Sequence, residues 1–173
     1  QYARPEFDRN GFKNSFRLPY GEWYAEVIPD VALEEIEQHF RKGFDTSDAT
    51  VPVLPYAREF LTLLKAKGKR LFVCTSMDPA AFKMQMEQHD LSCFFENTYS
   101  GVLDKRGLIH QMLETHQMVK QDTIFVGDMR HDVETAHHGG IDSLGVLTGY
   151  DTELELLEVK PSRIVADYSV FLA

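Results

Sequence analysis

Thr123-Ile124-Phe125-Val126-Gly127-Asp128-Met129-Arg130-His131-Asp132 is the stretch on which the fold turns. Thr123 to Val126 form a short apolar run of strand type, and glycine then aspartate end it. Asp132, four residues beyond Asp128, stands where a helix can begin. That helix is short and closes at Gly139-Gly140, after which Ser143 to Leu147 make a second strand. Short, nearly all-apolar strands alternating with helices indicate a parallel sheet covered by helices on both faces.

The same rhythm extends outward from this stretch. Upstream, the helix from about Lys105 places Leu108, Ile109, Met112, Leu113 and His116 on one face. Before it, a short strand is expected near Tyr99, and Asp78-Pro79 start a helix as N-cap and first residue. Leu71 to Cys74 read as a strand. Pro55 opens a helix in which Tyr56, Phe60, Leu63 and Leu64 line one face and which ends at Gly68. Downstream, Glu153 to Val159 form an amphipathic helix, and Ile164 to Ala166 a last strand. Residues 1 to 50 differ in texture. They hold aromatic-rich turns around Phe12, Phe16, Tyr20, Trp23 and Tyr24, then a helix over Val31 to Lys42 with Leu33, Ile36 and Phe40 at helical spacing. Gly43 and the polar run Asp45 to Thr50 read as a hinge, so the expected division is 1–50 and 51–173.

The composition narrows the class of function. With 27 acidic against 18 basic residues the formal charge is −9 over 173 residues, and no basic patch offers a footing for nucleic acid. No apolar run reaches the roughly 20 residues of a membrane helix. No basic-then-apolar leader is visible, and two cysteines, Cys74 and Cys93, do not make a disulfide framework, so the expected compartment is the cytoplasm. Cys74 and Cys93 both read as small buried residues.

In parallel sheets of this kind ligands gather beyond the carboxyl ends of the strands. Thr75 and Ser76 follow one strand, Gly127 and Asp128 another, and Lys105 opens the helix between them. Together these types suit a phosphate. Hydroxyls and backbone N–H groups at a strand-to-helix turn hold its oxygens, and a lysine offsets its charge. A carboxylate holds Mg2+, which prefers oxygen ligands. Asp132 can cap its helix, orient Lys105 or lie by the metal, and Arg130 and His131 border the site, where either can help bind anions. His131, His137 and His138 lack the further ligands of a zinc set.

On these residues the chain resembles the haloacid dehalogenase superfamily of phosphohydrolases, in particular its phosphoglycolate phosphatase-like branch. Phe125 to Asp132, continued by Val133, Ala136, Gly139-Gly140-Ile141 and Gly145 to Tyr150, resembles the fourth motif. Leu71 to Ser76 resembles the second, and Lys105 in Leu103-Asp104-Lys105-Arg106-Gly107 the third. The resemblance implies an α/β, Rossmann-like core preceded by a small α-helical cap. It implies a Mg2+-dependent phosphatase that hydrolyses a small phosphorylated metabolite through an aspartyl-phosphate. Thr75, Ser76 and Lys105 would bind phosphate, Asp128 and Asp132 would serve the metal, and Thr75, Lys105, Asp128 and Asp132 would carry catalysis.

The family's first motif, an apolar strand ending in Asp-x-Asp-Gly-Thr, is not visible. Phe7-Asp8-Arg9-Asn10-Gly11-Phe12 keeps Asp8 and Gly11 but has Asn10 and Phe12 in place of Asp and Thr, and Asp45-Thr46-Ser47-Asp48 matches less well. The nucleophilic aspartate is therefore expected upstream of Gln1. The alternatives are a catalytically inactive binding or regulatory relative, a dehalogenase or phosphomutase of the same superfamily, and a nucleotide-binding regulator of flavodoxin-like type, which gives no reason for Lys105 and Asp128 together. The oligomeric state is not legible.

Overall fold

A computed structural model describes residues 8–45 and 51–172. The chain divides into two compact units, residues 1–49 and 50–173.

The first unit is helical: α1 (Arg9–Ser15), α2 (Tyr20–Val27) and α3 (Leu33–Asp45). Asp8 caps α1, its Oδ1 accepting the Gly11 N–H at 2.6 Å, which is a structural task rather than a nucleophile's setting. Trp23, 2% exposed, is the centre of the unit. The rings of Phe12, Phe16 and Tyr24 lie 5.4, 5.3 and 4.9 Å from it in edge-on contacts. The Tyr20 hydroxyl donates to Glu37 at 2.8 Å, tying α2 to α3. Gly43 lies inside α3 rather than at a hinge, and residues 46–50 of the expected linker fall outside the described residues.

The second unit alternates helix and strand: α4 (Ala57–Ala66), β1 (Phe72–Cys74), α5 (Pro79–Gln88), β2 (Asn97–Tyr99), α6 (Lys105–Thr115), β3 (Ile124–Gly127), α7 (Arg130–Gly139), β4 (Asp142–Val146), α8 (Glu153–Glu158) and β5 (Arg163–Val165). Every strand pair is parallel. The expected single sheet is instead a pair, β1-β2 and β3-β4-β5, and among the described residues β1 pairs with β2 alone and β3 with β4 alone. Pro55 precedes α4 instead of opening it, because Tyr56 takes a left-handed conformation at the N-cap. The helix after β3 starts two residues earlier than expected, at Arg130.

Helices α6 and α7 form the body of this unit's core. Ile109 and Leu113 of α6 meet Ala136 of α7 and Ile141, with Met118 and Phe125 packed against them. Gly139 permits the approach, for a Cβ there would lie 2.8 Å from Ile109 Cγ1. β4 runs through the middle of its sheet with Ser143 to Val146 buried. The buried Ser143 is satisfied by a reciprocal clasp: its N–H donates to Ser162 Oγ at 3.1 Å, and the Ser162 N–H donates to Ser143 Oγ at 3.0 Å.

Candidate active site

Parallel strands put the carboxyl ends of β1 and β2 on one edge, and those of β3 and β4 on the edge of the other sheet. Thr75 leaves β1 there. Its N–H donates to the Tyr99 carbonyl at 2.8 Å, and its own carbonyl accepts the Val102 N–H at 3.0 Å. The chain after β2 therefore crosses the turn after β1 on its way to Lys105, whose charge is felt by Cys74 at the end of β1. Gly101 makes that crossing possible, with φ of +70° and its N–H on the Met77 carbonyl. Thr75 Oγ1 accepts the Met77 N–H at 3.2 Å, so its own proton remains to donate. Ser76 is half-buried beside it. Neither residue caps α5; Asp78 does, through the N–H groups of Ala80 and Ala81.

Lys105 is 8% exposed, far from the solvated surface position usual for lysine. Its Nζ donates to Asp132 Oδ1 at 2.6 Å. The other Asp132 oxygen accepts the Met129 N–H at 3.1 Å. Asp132 thus gives one oxygen to α7's first turn and the other to Lys105. Removing one partner of such a buried pair typically costs about 3–5 kcal/mol, since the other charge is left uncompensated. Gly127 accommodates the carboxylate, because a Cβ there would lie 2.2 Å from Asp132 Oδ2.

Asp128 stands at the end of β3. Burial pushes its carboxyl above the usual carboxylate range, opposed by a hydrogen bond from the backbone and reinforced by the charge of Asp132. Its Oδ2 accepts the Tyr150 N–H at 2.8 Å. The same electrostatics tie in the neighbouring groups. Burial raises the Cys74 thiol, one residue before Thr75, to about 11, with Lys105 lowering and Asp132 raising it. The Tyr168 hydroxyl is also pushed up by burial, with Asp128 and Asp132 adding. The Tyr168 ring stacks on Phe60 of α4 at 5.0 Å.

Two bordering residues have other tasks than the anion binding expected of them. Arg130 faces Asp151, Glu155 and Glu158 at 3.4 to 3.7 Å. His131 is buried, and its Nε2 accepts the Lys105 N–H at 3.2 Å, which leaves the proton on Nδ1. Sequence reading overlooked Asp151 and the packing demand at Gly149, where a Cβ would lie 1.8 Å from Asp128 Oδ2. The one available signal was the Gly149-Tyr150-Asp151 turn directly after a strand.

Among the described residues no three metal-ligating side chains converge. Mg2+ does not require them: it keeps several waters and takes one or two carboxylates plus substrate phosphate. The half-buried Asp128 carboxylate, repelled by Asp132 and held through one oxygen, fits that manner of binding.

The comparisons with known proteins bear on the family and the fold. The sequence model of the haloacid dehalogenase-like hydrolases matches residues 1–146, and the chain belongs to that family. It is 30% identical over 115 residues to a 5'-nucleotidase of Pseudomonas aeruginosa, covering 63% of this chain and 52% of that protein. It is 28% identical over 135 residues to the phosphoglycolate phosphatase of Escherichia coli K12, covering 72% and 54%. The chain thus spans about half the length of these two relatives. A haloacid dehalogenase-like hydrolase from Streptococcus pneumoniae shares the fold with a TM-score of 0.76 at 21% identity, over 97% of this chain and 81% of that one. No helix among the described residues is long and apolar enough to cross a membrane.

Proposed function

We propose that this chain carries the core of a Mg2+-dependent phosphatase acting on a small phosphorylated metabolite, with residues 1–49 as its helical cap. The observation that carries the reading is Lys105. A lysine is not buried without cause, and this one is held at 2.6 Å by a carboxylate, with its charge acting on both Cys74 at the end of β1 and Asp128 at the end of β3. Its ammonium offsets the charge that grows on the phosphoryl oxygens as the ester bond breaks. Thr75 donates its hydroxyl proton to one of those oxygens, with Ser76 beside it. Asp132 acts through Lys105, and His131 holds the backbone from which Lys105 projects. Asp128 would hold Mg2+, which when bound neutralises phosphate oxygens.

The family's chemistry passes through an aspartyl-phosphate: a carboxylate oxygen bonds to phosphorus, the alcohol leaves, and water then releases phosphate. Around Lys105, Asp132 is held by Lys105 itself, Asp104 by Arg106 and Asp151 by Arg130. The attacking carboxylate must therefore reach the phosphorus from outside this set.

Hydrolysis of p-nitrophenyl phosphate by the full-length protein tests the assignment, followed by phosphoglycolate and nucleoside 5'-monophosphates, which the relatives' names suggest. Asp128→Asn is expected to remove most turnover, on the order of 100-fold, and its Mg2+ dependence. Activity within twofold of wild type would refute the role of Asp128. Phosphate binding with no turnover in the wild type would favour a non-catalytic binding protein.

A further inference from the structure

One buried carboxylate beside Asp128 has no part in the chemistry above. Asp151 lies in the loop that leaves β4, and its side chain is 7% exposed. Its Oδ2 accepts the Arg130 N–H at 2.5 Å, with the Arg130 Nε 3.4 Å from the same oxygen. In return, the loop holds Asp128 from three consecutive residues. The Asp151 N–H donates to the Asp128 carbonyl at 3.2 Å, and the Tyr150 N–H donates to Asp128 Oδ2 at 2.8 Å. Gly149 presses against that same oxygen, where even a methyl group would collide.

The arrangement answers a local need of the helix. The first turn of α7 has N–H groups without intrahelical partners. Its N-cap is Met129, whose side chain has no oxygen to offer. Asp132 takes the Met129 N–H, and Asp151, 21 residues beyond Arg130, takes the next. A capping carboxylate from so far along the chain does more than finish a helix. It pins the loop whose two amides fix Asp128.

We propose that Asp151 is a positioning residue for cation binding: by fastening residues 149–151 to the first turn of α7, it fixes Asp128 Oδ2 through the Tyr150 N–H and sets the orientation in which Asp128 meets the cation. The inference rests on the reading of Asp128 as the Mg2+ ligand. Groups behind a ligand commonly govern metal affinity by about 10–100-fold. A cap that served stability alone would lower the melting temperature and leave the affinity of the folded protein unchanged.

The test is Mn2+ binding to the full-length protein, followed by the electron paramagnetic resonance signal of free Mn2+ well below the unfolding temperature. Mn2+ stands in for Mg2+, and no turnover is needed. Wild type is expected to bind one ion and Asp128→Asn to lose it. Asp151→Ala is expected to weaken binding by about tenfold or more. Asp151→Asn keeps an oxygen for the Arg130 N–H but loses the charge facing the Arg130 guanidinium, and is expected to weaken binding by about threefold, less than Asp151→Ala. If Asp151→Ala binds within twofold of wild type while Asp128→Asn does not bind, the inference falls and the reading of Asp128 stands. If Asp151→Ala does not fold, Asp151→Asn decides: weakening of about threefold supports the inference, and unchanged affinity overturns it. A wild type that binds no Mn2+ overturns both.

Discussion

Burial, and then the positive charge of Lys105, push the His131 imidazole below its usual range. The folded protein therefore keeps this histidine neutral at pH values where the unfolded chain has begun to protonate it. Between the ordinary value of 6.5 and the lowered one the unfolded state binds more protons, so stability falls as pH falls through that window. Thermal melts of wild type between pH 7.5 and 5.5 are expected to show that decline. His131→Gln, which keeps an acceptor for the Lys105 N–H, is expected to flatten it, and equal slopes for the two proteins would remove the assignment. At this scale the sequence was informative about residue types but not about exposure. Lys105 could be placed at a helix start after β2, yet nothing local tells a buried lysine from a solvated one, because the difference is made by Asp132, 27 residues away. Arg130 fails in the opposite direction. Its position beside Asp128 suggested anion binding, and the carboxylates that occupy it lie in a loop and a helix still to come in the chain.

Strands and helices of the second unit were legible where short apolar runs such as β1 and β3 are bounded by turn residues, the pattern a covered parallel sheet imposes, whereas the polar β2 could be placed only near Tyr99. What periodicity does not carry is which strand pairs with which, so the division into β1-β2 and β3-β4-β5 was not foreseen. Nor does it carry how closely two helices approach. Gly139 marks the end of α7 in the sequence, but its larger role is to let α6 lie against α7. Gly139→Ala would improve helix propensity on its own. In this setting the added methyl lies 2.8 Å from Ile109 Cγ1, and overpacking of that kind typically costs about 1–3 kcal/mol. Urea unfolding is expected to show the loss. A double-mutant cycle with Ile109→Ala checks its cause, since the second substitution removes the atom that collides and should cost less in the Gly139→Ala background than alone. Additive effects would place the strain elsewhere.

The molecule as a whole offers a separate probe in each unit. Trp23, the single tryptophan of the chain, is buried among the rings of the helical unit, and Cys74 lies in β1 of the other. Burial raises the Cys74 thiol to about 11, so at pH 8 almost none of it is thiolate in the folded state, and the thiolate is the form that reacts with disulfide reagents. In a Cys93→Ser protein, thiol reactivity therefore reports the opening of the α/β unit, while tryptophan fluorescence reports the helical one. Among the described residues the helical unit holds three helices with one ring cluster, whereas the other unit has a helix-on-sheet core from several elements. A small core buries a smaller fraction of its surface and is the less stable of two independent units. Urea titration is expected to give two midpoints, with the fluorescence change at the lower urea concentration. A bound cation held at Asp128 should then move the thiol transition to higher urea and leave the fluorescence transition in place, because ligand binding stabilises only the unit that unfolds with the site. Coincident transitions that shift together would mean that the two units unfold as one, and the division at residue 49 would describe geometry without describing stability.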